Sequence, residues 1–173
     1  MLTGIKMDLL YYKSDAARYG GVNGGILRFQ KCLRKAHFTK NRFLKLYYKI
    51  IMRRYRLKYG LEIPAETEIG RGLYIGHPFS ITINGSAIIG ENCNIHKGVV
   101  IGRENRGIRK GTPVIGNKVW IGINAAVVGK ITIGDDVLIY VNCDVPSHSV
   151  VFGNPCVIKH RDNATEGYIN NMI

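Results

Sequence analysis

A mainly β solenoid, preceded by a short α-helical segment, is the fold this sequence predicts, and three observations predict it. From Ile63 onward an aliphatic residue recurs at every sixth position. Glycine and other small residues recur in step with it. The first 60 residues lack that pattern and are strongly basic. Short repeats of this kind mean a solenoid, because one strand-and-corner unit cannot bury its own apolar face, whereas stacked neighbours can.

The 173 residues are enough for one domain with an extension. Apolar residues make up 46%, enough for a core, and 21% charged residues with 21 Gly exclude disordered and collagen-like chains. No stretch approaches the ~20 apolar residues that a bilayer span needs. Met1 to Gly20 carries Asp8 and Lys13 around Leu9, Leu10, Tyr11 and Tyr12, and so lacks a secretory hydrophobic region. Cys32, Cys93, Cys143 and Cys156 show no C-x-x-C spacing and no His pair beside them, which argues against zinc and a disulfide scaffold. The expected setting is a reducing cytoplasm.

Residues 1–61 hold 15 Lys and Arg against two acids, Asp8 and Asp15, and no acid occurs between Asp15 and Glu62. Residues 62–173 hold 10 of each sign, so the net +13 belongs to the N-terminal third. That break divides the chain into a basic helical segment (1–60), a repeat domain (61–160) and a C-terminal tail (161–173). From Leu27 to Tyr59 there is no Pro or Gly, which reads as two helices broken near Thr39-Lys40-Asn41, with Thr39 capping the second. In that second helix Phe43, Leu46, Tyr47, Ile50, Ile51 and Arg54 share helical spacing, with Lys45, Lys49, Arg53 and Arg56 largely opposite. The helix is expected to pack on the rest of the protein and present a solvated basic face. The sharper alternative is attraction of residues 27–59 to anionic lipid headgroups or an acidic glycan, which places the protein peripherally at the inner face of the membrane. Nucleic acid fits least, since no recognition motif accompanies the charge.

The repeat runs through Ile63, Ile69, Ile75 and Ile81, then Ile83, Ile89, Ile95 and Ile101, then Ile115, Ile121, Val127, Ile133, Ile139, Val145 and Val151. Six residues supply a short strand and a corner, and three such units, ~18 residues, close a triangular coil with the aliphatic side chains stacked inside. Two breaks interrupt the phase: two extra residues between Ile81 and Ile83, and eight between Ile101 and Ile115. A solenoid tolerates the second only outside the coil, as an extruded loop over 102–113. The loop carries Arg103, Arg106, Arg109 and Lys110 against Glu104, which suits phosphates or a carboxylate; a merely solvated loop is the alternative.

Two of the five histidines, His77 and His96, lie in the repeat before this loop. One coil plus the two-residue insertion stacks Lys97 near His77, with His96 beside it. On the residues alone, His77 is a surface histidine or a general base.

The repeat resembles that of the hexapeptide-repeat acyltransferases, which implies a left-handed parallel β-helix. Glu62-Ile63, Ile69 to His77 and Ile81-Thr82-Ile83 resemble the active-site segment of serine O-acetyltransferases and of the related capsule and exopolysaccharide O-acetyltransferases. The resemblance implies that His77 is the general base and that Glu62 orients it. The chemistry is consistent: an alcohol must lose its proton as it attacks a thioester, a neutral imidazole is the side chain matched to that at neutral pH, and a carboxylate on its other nitrogen fixes the tautomer. It further implies acetyl-CoA as the acyl donor, bound between subunits of a homotrimer. The matching cofactor contacts are Gly102, Arg103, Ile123, Asn124 and Val141, with Lys130 and Lys159 for the phosphates. Acceptor contacts fall to Gly76, His96, Lys97, Arg109 and Thr112. Transfer is expected to be direct, with Cys93 a packed interior thiol.

Departures from the serine enzymes shape the acceptor. Their Asp before the catalytic His is Gly76 here, and their Arg-His pair is Gly111 and Thr112. The rung from Ile139 to Val145 is a plain six where the family bulges, near the cofactor groove. Without partners for an amino acid's charges, and with small glycines leaving room for a ring, a sugar of a capsular or exopolysaccharide intermediate is the expected acceptor. Serine O-acetyl transfer (cysteine biosynthesis) is the alternative, followed by a non-catalytic scaffold. A metalloenzyme like the γ-type carbonic anhydrases would need three histidines, and this sequence has no third in the repeat before the loop, so no metal is expected.

Overall fold

A computed structural model describes residues 4–20, 24–139, 146–152 and 157–169. Three helices, α1 (Gly4–Ala17), α2 (Gly25–Phe38) and α3 (Arg42–Tyr59), precede the coils. The first coil contains β1 (Leu61–Glu62), β2 (Glu68–Ile69) and β3 (Tyr74–Gly76). The second contains β4 (Ile81–Ile83), β5 (Ile88–Ile89) and β6 (Asn94–His96), and the third β7 (Val100–Gly102), β8 (Val114–Ile115) and β9 (Val119–Ile121). Then come β10 (Ala126–Val128), β11 (Thr132–Ile133) and β12 (Val137–Ile139), followed by β13 (Ser149–Phe152) and β14 (Val157–His160).

Every third strand stacks in parallel, so the coils build a triangular prism, a left-handed parallel β-helix. Sheet A is β1-β4-β7-β10, sheet B is β2-β5-β8-β11, and sheet C is β3-β6-β9-β12-β13. β14 adds antiparallel to the end of sheet C, an element the repeat does not foretell. The register stacks Ile75, Ile95, Ile121, Ile139 and Val151 in one inward column. All five are essentially inaccessible. Each buried side chain of this size contributes ~1.5–3 kcal/mol relative to exposure, which is why the period persists.

The first interruption lies elsewhere than the sequence suggests. Leu61 pairs with Ile81, so β4 is in ordinary register, and the two extra residues widen the corner at 77–80. Val145 and Cys143 lie outside the described residues.

The N-terminal helices differ from expectation in three ways. α1, not foreseen, packs with α2 beneath the first coil. Asn41, not Thr39, caps α3, its Oδ1 accepting from the N–H groups of Phe43 and Leu44 at 2.9 and 3.1 Å. Thr39 instead closes α2, donating its N–H to Lys35 O at 3.1 Å. Third, α3 turns only Tyr48, Met52, Tyr55 and Tyr59 toward the core. The stripe expected to pack is exposed: Phe43 by 76% and Ile50 by 52%, joined by Leu57 at 73%.

The first coil has no coil below it, so its backbone groups need other partners. The Arg34 guanidinium donates to the carbonyls of Ile69 and Gly70 at 2.6 and 2.7 Å. It also grips Asp15 through two bonds of 2.8 and 2.9 Å, and Asp15 accepts from Leu73 N–H at 2.9 Å. Arg18 donates to Gly72 O at 2.8 Å and Gln30 to Leu73 O at 2.8 Å. At the other end, burial alone would raise the Asp136 carboxyl. Thr165, His148 and backbone N–H groups hold it below the usual range instead, tying the C-terminal segment to the coil.

Candidate active site

The structure gathers Gly76, His77, His96, Lys97, Ile123 and Asn124 along the edge where sheet C turns into sheet A. β3 ends at Gly76, which pairs with His96 of β6, and the chain then turns through His77, Pro78, Phe79 and Ser80. This wider corner leaves His77 exposed. His77 and Ser80 have φ of 50° and 53°. Asn92, Lys118 and Asn124 are also left-handed at their corners, so the conformation belongs to the corner and not to the histidine. Phe79 donates its N–H to His77 O at 2.7 Å, and its ring meets Tyr59 of α3 edge-on at 5.3 Å. Lys97, Ile123 and Asn124 are exposed higher on the same edge, with Asn124 N–H bonded to Lys97 O at 3.0 Å.

His96 lies 6.4 Å from the His77 ring and packs on Trp120 at 4.7 Å. Its Nε2 is buried without a hydrogen-bond partner. Burial, with a smaller push from His77, holds its pKa below the ordinary imidazole value. A Cβ on Gly76 would come within 2.5 Å of the His96 Cε1 and Nδ1. The space that the sequence leaves for an acceptor ring is therefore filled, and that expectation is corrected: residue 76 is small because His96 covers it. Gly111 is not open either, since a Cβ there would meet Lys130 Cβ at 3.0 Å.

Glu62 lies on β1, on a different element from the His77 corner. It points outward from β1 on sheet A, beside Thr82, and lines a cleft of about 790 Å³ walled by α3 and bounded by Gly102 and Arg103. His77 is not among the residues lining this cleft, and among the described residues no hydrogen bond joins the two side chains.

The remaining contacts lie mostly on the edge where sheet A turns into sheet B. The loop folds as a narrow hairpin in which Glu104 and Gly111 exchange two backbone bonds of 3.0 Å. The Glu104 carboxylate accepts from the N–H groups of Asn105 and Arg106 at 2.7 and 3.0 Å. Arg109 O accepts from Lys130 N–H at 2.8 Å, and Thr112 Oγ1 donates to Ser86 O at 3.0 Å. The loop is thus fastened to the coil, with Arg103, Arg109 and Lys130 exposed along it. Lys159 is on β14 at the far end of sheet C, and Val141 lies outside the described residues.

Sequence reasoning placed Lys49, Arg53 and Arg56 on one face of α3 but not as a wall of this cleft. Their spacing was the signal; which neighbour they face was not legible. Among the described residues, no three His, Cys, Asp or Glu gather as a metal site, and no helix is long and apolar enough to cross a membrane.

No family model matches the chain. It is 34% identical over 127 residues to a serine acetyltransferase of Helicobacter pylori (strain 26695), covering 71% of this chain and 74% of that protein. The chain belongs to the serine acetyltransferase family of hexapeptide-repeat acyltransferases. A serine acetyltransferase of Synechococcus elongatus is 34% identical over 134 residues, covering 75% of this chain and 55% of that protein's length. A solved serine acetyltransferase in complex with CoA superposes with a TM-score of 0.71 at 20% identity, over 90% of this chain and 69% of that one, and speaks for the fold.

Proposed function

We propose that the protein transfers the acetyl group of acetyl-CoA to the hydroxyl of serine, with His77 as general base. The observation that carries this reading is the exposed His77 at the widened corner of a family coil, beside His96 and Lys97. In this reading the serine hydroxyl attacks the thioester carbonyl and gives its proton to His77. A backbone N–H near the loop receives the oxyanion. Collapse expels the CoA thiolate, which takes the proton back. Glu62, exposed on the adjacent face, is the acid proposed to orient the imidazole. Cys93 is fully buried and its thiol is pushed up to about 12, which supports direct transfer without an acyl-enzyme.

The relatives' names and the filled space over Gly76 favour serine over the sugar expected from the sequence. A sugar hydroxyl is the second reading, favoured by one observation: Gly76, Gly111 and Thr112 bring no charge to meet an amino acid. Acetyl-CoA consumption with L-serine and with a panel of sugars and nucleotide sugars separates them. Turnover with L-serine is expected; turnover with sugars alone would reverse the order, and none with any acceptor would leave a scaffold.

Two assembly features complete the proposal. Most of the expected residues divide between two edges of sheet A, and a threefold arrangement can bring one edge of a copy against the other edge of its neighbour. Light scattering should then give about three times 19.3 kDa. The outer face of α3 is assigned to an anionic membrane surface. It exposes Phe43, Leu46, Ile50 and Leu57 on a helix with seven Lys and Arg and no acid. Two such helices would repel each other, and a glycan offers no hydrocarbon for the stripe.

A further inference from the structure

We infer that the cleft between α3 and sheet A seats a carboxylate of the acceptor, held by Arg53 and Arg56 of α3 together with Arg103 of the loop. This rests on the acetyl-transfer reading, with the His77 edge of a neighbouring copy set against the cleft, and names what the acceptor must carry. Lys49, Arg53 and Arg56 recur at i, i+4 and i+7, so α3 turns all three to one side, and that side lines the cleft. Lys49 is already engaged by Glu66, which Lys45 also approaches at 3.9 Å. Arg53, Arg56 and Arg103 are exposed, and among the described residues no ion pair joins any of them to an acid. Facing them is one carboxylate without an ion-pair partner, Glu62. The cleft therefore holds an uncompensated positive charge.

Three guanidiniums around a concave space suit a planar carboxylate, because each fork donates two parallel hydrogen bonds. A volume near 790 Å³ lies in the range of small-molecule sites. The fold makes no use of these side chains: α3 holds to the core through Tyr48, Met52, Tyr55 and Tyr59 on another face. They also sit at the level of the first coils, beside Glu62 and Thr82, whereas Lys130 borders the later coils. With Gly111 and Thr112 uncharged, α3 offers the charge the loop omits. An amino acid and an acidic sugar share the required group.

The test is steady-state kinetics of the full chain and of Arg53→Gln, Arg56→Gln and the double variant. Acceptor pairs differ only in charge: L-serine against L-serinamide, and a uronic acid against its neutral sugar. The double variant should raise KM for the charged acceptor tenfold or more and hold kcat within about twofold. The preference for the charged member should collapse, with KM for acetyl-CoA unchanged. The pair that shows the collapse identifies the acceptor class. An undiminished preference, or a rise in KM for acetyl-CoA alone, overturns the inference. Thermal stabilisation by malonate reads the site without turnover. Wild type should gain and the double variant should not; equal gain, or none in either, also overturns it. If the wild type acetylates no acceptor, the proposed function fails while the malonate result still decides the carboxylate seat.

Discussion

α2 and α3 are both basic and amphipathic, yet the fold uses them in opposite ways. α2 buries Phe29, Gln30, Leu33 and Arg34 against the lowest coil, and its arginine bonds two main-chain carbonyls and a carboxylate. α3 buries only Met52 fully and exposes both apolar and cationic residues. Charge counted along a sequence therefore does not tell which cations the fold itself uses. What sorts them is whether the backbone beside them has unfilled hydrogen bonds, as the first turn of a solenoid does. The corner histidines repeat the contrast: His96 is packed between Tyr74 and Trp120, and His77 is open.

The largest effect should come from breaking the α2 side. Arg34→Leu leaves Asp15 as an uncompensated buried charge and orphans two carbonyls, so it should destabilise by about 3–5 kcal/mol. Arg54→Leu on α3 should change stability by less than about 0.5 kcal/mol. Urea unfolding of both variants reads the difference, and equal losses would erase the distinction between the helices.

Next come the histidines. His77→Ala should lower turnover about a hundredfold or more while leaving CoA affinity and the melting temperature unchanged. Near-normal turnover would remove it as the base. His96 should instead show itself in stability. Its folded pKa lies below the ordinary value of 6.5, so the folded state binds fewer protons than the unfolded state through that window. Stability is then fully present above about 6.5 and is lost as pH falls below it. His96→Gln should flatten that acid limb.

Gly76→Ala sharpens the same contrast at an intermediate size. The added methyl meets the His96 ring, and overpacking of this kind costs about 1–3 kcal/mol. The loss should shrink in a His96→Gly background, since the clash is with that ring. Undiminished loss would mean that the strand itself, not the ring, requires glycine at 76.

Much of this architecture was legible because the coil repeats one physical requirement, an inward aliphatic residue, every six positions. The break at 102–113 was legible for the same reason. α1 was not, because Asp15 and Arg18 look like surface residues until the coil they seal is present. The two extra corner residues were misplaced because Ile81 and Ile83 both point inward, and either can be read as the repeat. At the site, the nearness of His96 to the His77 corner followed from coil length. That His96 lies over Gly76 needed the strand register, and that α3 walls the cleft of Glu62 needed tertiary structure.

The smallest effect on stability, and the one that most isolates α3, concerns its outer stripe. Ile50 and Leu57 are 52% and 73% exposed, so Ile50→Glu with Leu57→Glu removes little packing and should leave unfolding within about 0.5 kcal/mol of wild type. On a membrane the same pair acts differently. In the proposed membrane contact the stripe would lose its insertion into the acyl boundary, and two acids would enter a helix whose Arg42, Arg54 and Lys58 would otherwise meet anionic headgroups. Wild type should cosediment with vesicles containing anionic phospholipid, weakly with neutral ones, and less as salt is raised. The double variant should remain in the supernatant. Unchanged cosedimentation would show that the stripe is not the contact. A fall in assembly mass with the same substitutions would show that another copy of the chain covers it, and would move α3 from the membrane to the oligomer.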